Sequence, residues 1–272
     1  MSESSHEELS KIVNYMKAHW PSKVKPEWQV SLEEYPTILQ KALKDFTKDA
    51  TQNRELIRIA GISGSGKTTQ ILPAVEAYCE KHHYRPILIA ARRFVEYHPH
   101  YQAIKDFYGE ANLRKNTDEF ATIMLFLTLT ELIKNGYDII LDVTLLDPAM
   151  EGILLKLLPT ANYKSLILMI ATSPKVTEHF LKNRAWRHTK ETEKEFIRAT
   201  EKALKFYAET APNFRIILWS VYDEPPIYDG PIKDSITIFE DYSKREDLPK
   251  QDDDARRTAK IKYMRAEVFK LS

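Results

Sequence analysis

The sequence predicts an α/β fold in which a mainly parallel β-sheet lies between two layers of helices. Short apolar runs alternate with longer segments of helical periodicity along most of the 272 residues. This pattern is typical of parallel strands that are covered on both faces. The apolar runs are residues 56–60, 86–91, 138–143, 165–171 and 214–221. We therefore expect a three-layer α/β/α domain with a sheet of about five strands.

The segments around these runs predict helices, and the sequence as a whole divides into three predicted parts. Between the runs, apolar residues recur at helical spacing in residues 68–81, 120–134, 149–158 and 175–208. Residues 1–50 have helical spacing as well and are predicted to form an N-terminal extension. Residues 51–243 are predicted to form the main domain, and residues 244–272 a charged linker and a C-terminal helix.

Composition limits the classes of partner. Forty basic and thirty-nine acidic residues give a net charge of +1, so no global field attracts nucleic acid or an anionic membrane. The apolar stretches are shorter than the ~20 residues that a membrane span requires. The single cysteine, Cys79, cannot form an internal disulfide, and no signal segment opens the sequence. We therefore predict a cytoplasmic protein with neither nucleic acid nor membrane as a partner.

Residues 61–68, Gly-Ile-Ser-Gly-Ser-Gly-Lys-Thr, contain two glycines five positions apart followed by Lys67 and Thr68. This is the pattern of a phosphate-binding P-loop. It follows a predicted strand and precedes a predicted helix, so its backbone N–H groups and the helix N-terminus would face a phosphate. Three of the seven glycines in the sequence, Gly61, Gly64 and Gly66, lie in this loop. The sequence therefore predicts a P-loop NTPase fold that binds a nucleoside triphosphate.

The motif predicts a role for most of its side chains. Lys67 would reach the β- and γ-phosphates, and the hydroxyl of Thr68 would hold Mg²⁺. Asp142 ends the run 138–143 at a position where P-loop enzymes place a carboxylate near Mg²⁺, although a carboxylate there could also cap a turn. The predicted cofactors are ATP or GTP, with Mg²⁺. The predicted nucleotide-binding residues are Gly61, Ser63, Gly64, Ser65, Gly66, Lys67, Thr68 and Thr69.

From about residue 55 to residue 229 the chain resembles the zeta-toxin family. The resemblance rests on four segments in the same order, residues 94–101, 117–121, 141–144 and 170–174. Zeta toxins are P-loop kinases that phosphorylate the 3′-hydroxyl of UDP-N-acetylglucosamine. The resemblance implies a small-molecule kinase that acts on a hydroxyl of UDP-N-acetylglucosamine or another nucleotide-linked acceptor. It also implies a small antitoxin protein as a partner.

The resemblance further implies the residues that surround the acceptor. On the catalytic side, Arg184 and Arg187 would neutralise the transferring phosphate together with Lys67; a solvated basic face is the alternative for these arginines. On the acceptor side, the implied contacts are His98, Glu119 and Thr144. The histidine pair at residues 98 and 100 has no matching Cys or His cluster, so a substrate-side loop is favoured over a zinc site.

The chain departs from the family pattern at the end of the predicted second strand. The second carboxylate that follows the family's second strand acts as the general base on the accepting hydroxyl, and Arg92 occupies its place here. Val95 occupies the place of the motif's own arginine. An arginine cannot take a proton from a hydroxyl because its side chain remains protonated.

Three interpretations of Arg92 remain open from the sequence. The base is relocated to Asp142, Glu96 or Glu119, since loose phosphoryl transfer needs positioning more than proton abstraction. Alternatively, the protein is an inactive relative that binds nucleotide and acts through protein interaction. In the third interpretation, Arg92 and Arg93 form an anion site for an acceptor that carries its own phosphate.

The helical residues 1–50 suggest a further hypothesis. Family members are often silenced by a small helical antitoxin, and an extension fused in cis would cover the nucleotide site in the same manner. Deletion of residues 1–50 would then increase nucleotide affinity or toxicity.

Overall fold

The computed structural model describes residues 3–19, 22–62, 64–143, 148–181, 190–221, 226–245, 247–248 and 253–265. The strands are β1 Glu55–Ala60, β2 Ile87–Ile89, β3 Ile139–Asp142, β4 Lys164–Ala171, β5 Arg215–Ser220 and β6 Tyr228–Pro231. The helices are α1 Glu3–His19, α2 Tyr35–Phe46, α3 Leu72–Lys81, α4 Tyr101–Tyr108, α5 Glu110–Lys134, α6 Pro148–Thr160, α7 Pro174–Leu181, α8 Lys190–Thr210, α9 Ile236–Ser243 and α10 Asp253–Arg265. None of the helices in this part of the chain is long and apolar enough to cross a membrane.

The strands form one sheet in the order β2-β3-β1-β4-β5-β6. The first five strands of this order are parallel, and β6 pairs antiparallel with β5 at the edge. The α/β class and the mainly parallel sheet are confirmed. β1 is central, and its Ile59 pairs with Asp142 of β3. The loops that follow these two strands therefore begin side by side at the carboxyl edge, where open α/β sheets bind their ligands.

Helices cover the sheet on both faces. Successive strand residues point to opposite faces, so Ile57 and Ile59 of β1 pack with residues of α3 and α10. On the other face, Leu56 packs in a cluster that includes α1, α2 and α5, and Ala60 packs in a neighbouring cluster that includes α8. The domain therefore has the three layers that the apolar runs predict.

The N-terminal helices belong to the second of these faces. α1 and α2 both pack against α5, and their buried side chains join the same apolar cluster as strand residues Leu56 and Leu141. These side chains are Leu9, Val13, Met16, Tyr35, Leu39 and Ala42. α3, which follows the P-loop, lies on the opposite face. The described part of residues 1–50 therefore completes a core layer, and a cover over the nucleotide site stays a prediction. A domain boundary at residue 50 stays a prediction.

Removal of residues 1–50 is expected to abolish cooperative unfolding, because it exposes the apolar face of α5. The milder variant Leu39→Ala should lower the free energy of unfolding by about 2 to 5 kcal/mol, whereas Lys44→Ala, at an exposed position of the same helix, should leave it unchanged. Urea denaturation followed by circular dichroism measures both. A truncated protein that unfolds cooperatively and binds nucleotide more tightly would instead support the cis-antitoxin hypothesis.

A buried ionic network lies between the two clusters on that face. Arg58 of β1 donates from both terminal nitrogens to Glu151 of α6, with Nη2 2.6 Å from Oε1. The hydroxyl of Tyr207 in α8 accepts from Arg58 at 2.8 Å and donates to Glu151 at 2.7 Å. Burial raises the pKa of Tyr207, so this hydroxyl keeps its proton. The three residues are almost fully buried, and the network fixes α6 and α8 to the central strand.

Glu151→Ala is expected to lower the free energy of unfolding by about 3 to 5 kcal/mol, because it leaves the cation of Arg58 buried without its carboxylate. Tyr207→Phe should cost about 1 kcal/mol, since one neutral hydroxyl is lost while the ion pair remains. Chemical denaturation provides the comparison. The matched control is Glu131→Ala, which breaks a partly exposed pair with Lys134 and should have a much smaller effect. Similar losses for the two Glu→Ala variants would contradict a special role for the buried network.

Candidate functional site

The P-loop has the backbone conformation that its glycines predict. Gly61, Gly64 and Gly66 have φ angles of 138°, 80° and 96°, in a region that residues with a side chain rarely adopt. A Cβ atom on Gly61 would lie 2.8 Å from Oγ of Ser65, and one on Gly66 would lie 3.1 Å from Cγ of Gln70. The positive φ angle favours glycine at both positions, and at Gly61 the close approach of Ser65 adds to this preference.

The helix that follows the loop begins with a single π-helical turn, Lys67–Ile71, before α3. The backbone N–H of Gln70 donates to the carbonyl of Gly66 at 2.8 Å. Single π-turns occur often at functional sites. Thr68 and Thr69 are exposed on this turn, and contacts of their hydroxyls with Mg²⁺ or phosphate stay predictions.

Lys67 folds back over the loop. Its ammonium group donates to the carbonyls of Gly61 and Ile62, the second at 3.1 Å. The buried hydroxyl of Ser65 has no hydrogen-bond partner within the described ranges, and a buried hydroxyl is normally satisfied. A cation and an unsatisfied hydroxyl beside a glycine-lined loop fit the oxygen atoms of a bound phosphate. The residues present are thus suited to a nucleotide.

Two further hydroxyls border the loop, and sequence reasoning assigned them no role. Thr172 and Ser173 follow the carboxyl end of β4, which pairs with β1. Both side chains are buried, and neither oxygen has a hydrogen-bond partner in the part of the chain that the structure describes. The available signal was their position directly after an apolar run, which is the same signal that identified Asp142.

Asp142 lies next to the loop and is already paired. Its Oδ2 accepts from Nη1 of Arg92 at 2.6 Å. Asp142 ends β3 with a side chain that is 6% exposed, whereas the side chain of Arg92, just after β2, is 42% exposed. Arg92, at the position of the family base, therefore contacts Asp142, the carboxylate that is predicted from the sequence to lie near Mg²⁺.

Arg93 points away from this pair. Its Nη1 donates to the carbonyl of Leu88, and its guanidinium lies 4.6 Å from the ring centroid of Phe46. Arg92 and Arg93 consequently engage different parts of the protein. The hypothesis that they form one joint anion site is not supported by this geometry.

His98 is buried in the turn that leads into α4. Its Nδ1 accepts from the backbone N–H of His100 at 3.1 Å, and its ring packs edge-on against Phe120 at a centroid distance of 4.6 Å. Burial lowers the pKa of His98 to about 4, so the ring is neutral at pH 7. These contacts are all with protein, and a contact of His98 with substrate stays a prediction.

Glu119 faces the N-terminal region. Burial raises the pKa of this carboxyl, while a hydrogen bond from Ser22 and the charge of Lys17 act in the opposite direction. Glu96, another candidate for a relocated base, is exposed. Of the three carboxylates, Asp142 is the one that pairs in register with the strand preceding the P-loop. The substrate contact predicted for Glu119 remains a prediction.

Four of the predicted site residues, Ser63, Thr144, Arg184 and Arg187, lie outside the described residues. Their predicted roles are unchanged. Within the described ranges, no group of three or more His, Cys, Asp or Glu residues is arranged to hold a metal ion. A Mg²⁺ ion held by Thr68, Asp142 and the nucleotide stays a prediction.

Comparisons with known proteins agree with this architecture. A family model described as zeta toxin matches residues 40–223. A structure from the PezAT chromosomal toxin–antitoxin system of Streptococcus pneumoniae is similar with a TM-score of 0.64 and 20% identity, covering 87% of this chain and 98% of that chain.

The AvrRxo1-ORF1:-ORF2 complex is similar with a TM-score of 0.53 and 12% identity, covering 93% and 88% of the two chains. A search of curated protein sequences gave no match. At these identities the two structures support the fold alone. The family match is broader evidence, because it spans more than half of the sequence and includes the P-loop, Arg92 and Asp142. The chain belongs to the zeta toxin family.

Proposed function

We propose that the protein is a kinase that transfers a phosphoryl group from ATP or GTP to a hydroxyl of UDP-N-acetylglucosamine or a related nucleotide-linked acceptor. The observation that carries this proposal is the juxtaposition of the P-loop with Asp142. The loop begins at Gly61, directly after β1, and Asp142 is in register with Ile59 of the same strand. Membership of the zeta toxin family supports a kinase-type reaction at this edge.

The donor would be held by the loop. Backbone N–H groups of residues 61–69 and the ammonium of Lys67 would bind the phosphates, with Ser65 offering its unsatisfied hydroxyl. Thr68 and Asp142 would hold Mg²⁺. When bound, the nucleotide would supply the phosphoryl group, and Mg²⁺ would offset the negative charge of its phosphates. Lys67 would exchange its bonds to loop carbonyls for bonds to phosphate oxygens.

Asp142 is the best-placed of the candidate carboxylates to orient the acceptor hydroxyl. It lies at the carboxyl edge of the sheet, where acceptor and donor must meet. Arg92 must release this carboxylate before Asp142 can act, and its partly exposed side chain has solvent into which it can turn. Because phosphoryl transfer depends mainly on positioning and charge stabilisation, a strong base is not required.

The remaining site residues complete the proposal. Arg184 and Arg187 would neutralise the transferring phosphate, and Thr144, His98 and Glu119 would contact the acceptor. The family membership supports an antitoxin protein as a partner, and the PezAT relative comes from a toxin–antitoxin system. We propose the cytoplasm as the site of action, where nucleotide-linked sugars would be accessible.

A second candidate function is a nucleotide-binding protein without kinase activity that acts through protein interaction. The observation that favours it is the ion pair between Arg92 and Asp142. In this pair an arginine stands at the position of the family base and is bonded to Asp142, whose strand pairs with the strand that precedes the P-loop. The two candidates share nucleotide binding and differ in acceptor-dependent transfer.

Phosphoryl transfer from labelled ATP or GTP with Mg²⁺ is the direct test. The acceptor panel contains UDP-N-acetylglucosamine, other nucleotide sugars and NAD. We expect transfer to one acceptor, with a rate lowered at least a hundredfold, or about 3 kcal/mol or more, in Lys67→Ala, because this removes the cation on the transferring phosphate. Lys44→Ala, at an exposed site in α2, is the matched control and should retain full activity.

The same assay separates the two candidate functions. Tight nucleotide binding with no transfer to any member of the panel would favour the inactive relative and count against the kinase. If transfer occurs, Arg92→Asp, which restores a carboxylate at the position of the family base, should retain or increase the rate. Loss of transfer in Arg92→Asp would show that the arginine itself participates.

Gly66→Ala is expected to weaken nucleotide binding about tenfold or more, because a Cβ atom would displace the turn that positions Lys67. Gly109→Ala provides a matched control: Gly109 also has a positive φ of 77°, but a Cβ atom there meets nothing within 4 Å. Both substitutions strain the backbone by about 1 to 2 kcal/mol, while Gly109→Ala should leave affinity unchanged. Isothermal titration calorimetry measures the affinities, and equal affinities for the two variants would argue against the assigned loop.

A further inference from the structure

Arg92 and Arg58 both pair with a carboxylate, but the two contacts differ in kind. Arg58 is almost fully buried and donates from both terminal nitrogens to Glu151, with a further bond to Tyr207. Arg92 donates from one nitrogen to Asp142, and its side chain is 42% exposed. Its remaining N–H groups have no hydrogen-bond partner within the residues that the structure describes. A half-exposed guanidinium keeps part of its hydration, so an exchange of partner is easier for Arg92 than for Arg58.

The backbone that carries Arg92 is held by the core. Arg92 belongs to the short segment Ala91–Tyr97, which packs against α5. Phe94 and Val95 of this segment are buried, and the ring of Phe94 packs edge-on against Phe46 at a centroid distance of 5.4 Å. The side chain of Arg92 can therefore change its partner while its backbone stays in place.

Arg92 approaches Asp142 from the side opposite to the P-loop. In the sheet order β2-β3-β1, Arg92 follows β2, Asp142 ends β3, and the P-loop follows β1. Neighbouring strands are about 4.8 Å apart, so the ends of β2 and β1 are separated by about 10 Å. We therefore expect a ligand group bound to Arg92 to lie on the acceptor side of Asp142, away from the donor phosphates that the loop would hold.

The remaining donors of Arg92 suit a phosphate group. A guanidinium is planar, and its N–H groups form a fork that matches two oxygen atoms of a phosphate. Asp142 engages this fork through one oxygen, Oδ2, whereas a phosphate can engage it through two. Arg93 has the same charge but is bonded to the carbonyl of Leu88 and lies over the ring of Phe46. Of these two arginines, Arg92 is therefore the one available to an anion at the edge of the sheet.

We propose that Arg92 is a specificity-determining residue that selects an acceptor with a phosphate group close to its accepting hydroxyl. The guanidinium exchanges Asp142 for a phosphate of the acceptor, and the same exchange frees the carboxylate to orient the hydroxyl. Because Arg92 and Asp142 start in contact, the two groups of the acceptor must lie near each other, as in a sugar phosphate or a nucleotide sugar. An uncharged sugar or nucleoside offers no such partner, so Asp142 stays paired. This inference rests on the proposed kinase function and narrows its class of acceptor.

Steady-state transfer kinetics at saturating donor nucleotide and Mg²⁺ test the inference. Each acceptor is compared with the uncharged sugar or nucleoside that it contains: UDP-N-acetylglucosamine with N-acetylglucosamine, and NAD with adenosine. Arg92→Met should raise the KM for the phosphorylated acceptor about tenfold or more, with little change in kcat or in the KM for the donor. For the uncharged counterpart, kcat/KM should stay equal or rise, because Asp142 is no longer paired. Arg92→Lys keeps the charge without the fork and should give an intermediate KM.

The matched control is Arg93→Met. This variant loses the same charge at the next position, but Arg93 is bonded away from Asp142, so the KM for the acceptor should equal that of the wild type. If Arg92→Met does not fold, as judged by circular dichroism, Arg92→Gln replaces it with the same expected results.

An unchanged acceptor KM in Arg92→Met would overturn the inference. So would an equal fold loss of kcat/KM for the phosphorylated acceptor and its uncharged counterpart, which indicates a structural role. A rise confined to the KM for the donor would also overturn it, because the arginine would then act on the donor phosphates. A wild-type protein that transfers to no acceptor refutes the proposed function and this inference together, whereas wild-type transfer with an unchanged acceptor KM in the neutral variant refutes this inference alone.

Discussion

The buried contact between Arg58 and Glu151 is the interaction on which the arrangement of the site depends. Arg58 lies three residues before Gly61 in the strand that leads into the P-loop, and Glu151 lies nine residues after Asp142 in α6. Tyr207 adds α8, the helix that follows the segment containing Arg184 and Arg187. The network therefore links the strand before the P-loop, the helix after Asp142 and the helix after the segment that contains Arg184 and Arg187. Because its charges are buried, separation of these elements leaves an uncompensated ion and is strongly disfavoured.

The charged groups of the site, in contrast to the buried network, are bonded to partners that a ligand can replace. Lys67 is bonded to backbone carbonyls of its own loop, and Arg92 is bonded to Asp142 through a partly exposed side chain. With a net charge of +1, the molecule as a whole exerts little attraction on an anion. Attraction must come from cations gathered at the carboxyl edge of the sheet. The fold therefore combines a fixed support with local charges that can be redirected toward a ligand.

The sequence predicted most reliably those features that depend on local conformation. The glycines of the P-loop specify positive φ angles within a few residues, and apolar runs specify buried strands. Partners distant in sequence were not predictable in the same way. Arg58 interrupts an apolar run, but nothing in the sequence indicates that its carboxylate is Glu151, 93 positions away. Likewise, periodicity shows that α1 and α2 have an apolar face, but not that α5 covers it.

Arg92 illustrates how a single substitution changes the chemistry that a site can perform. Two carboxylates at residues 92 and 142 would repel each other and favour a metal or a proton between them. An arginine at residue 92 instead neutralises Asp142 directly. Since Arg93 is held by Leu88 and Phe46, Arg92 is the member of this arginine pair that contacts the site. A bound metal and Arg92 would compete for the same carboxylate, so the position of the Arg92 side chain would decide how much of the negative charge of Asp142 is open to a ligand.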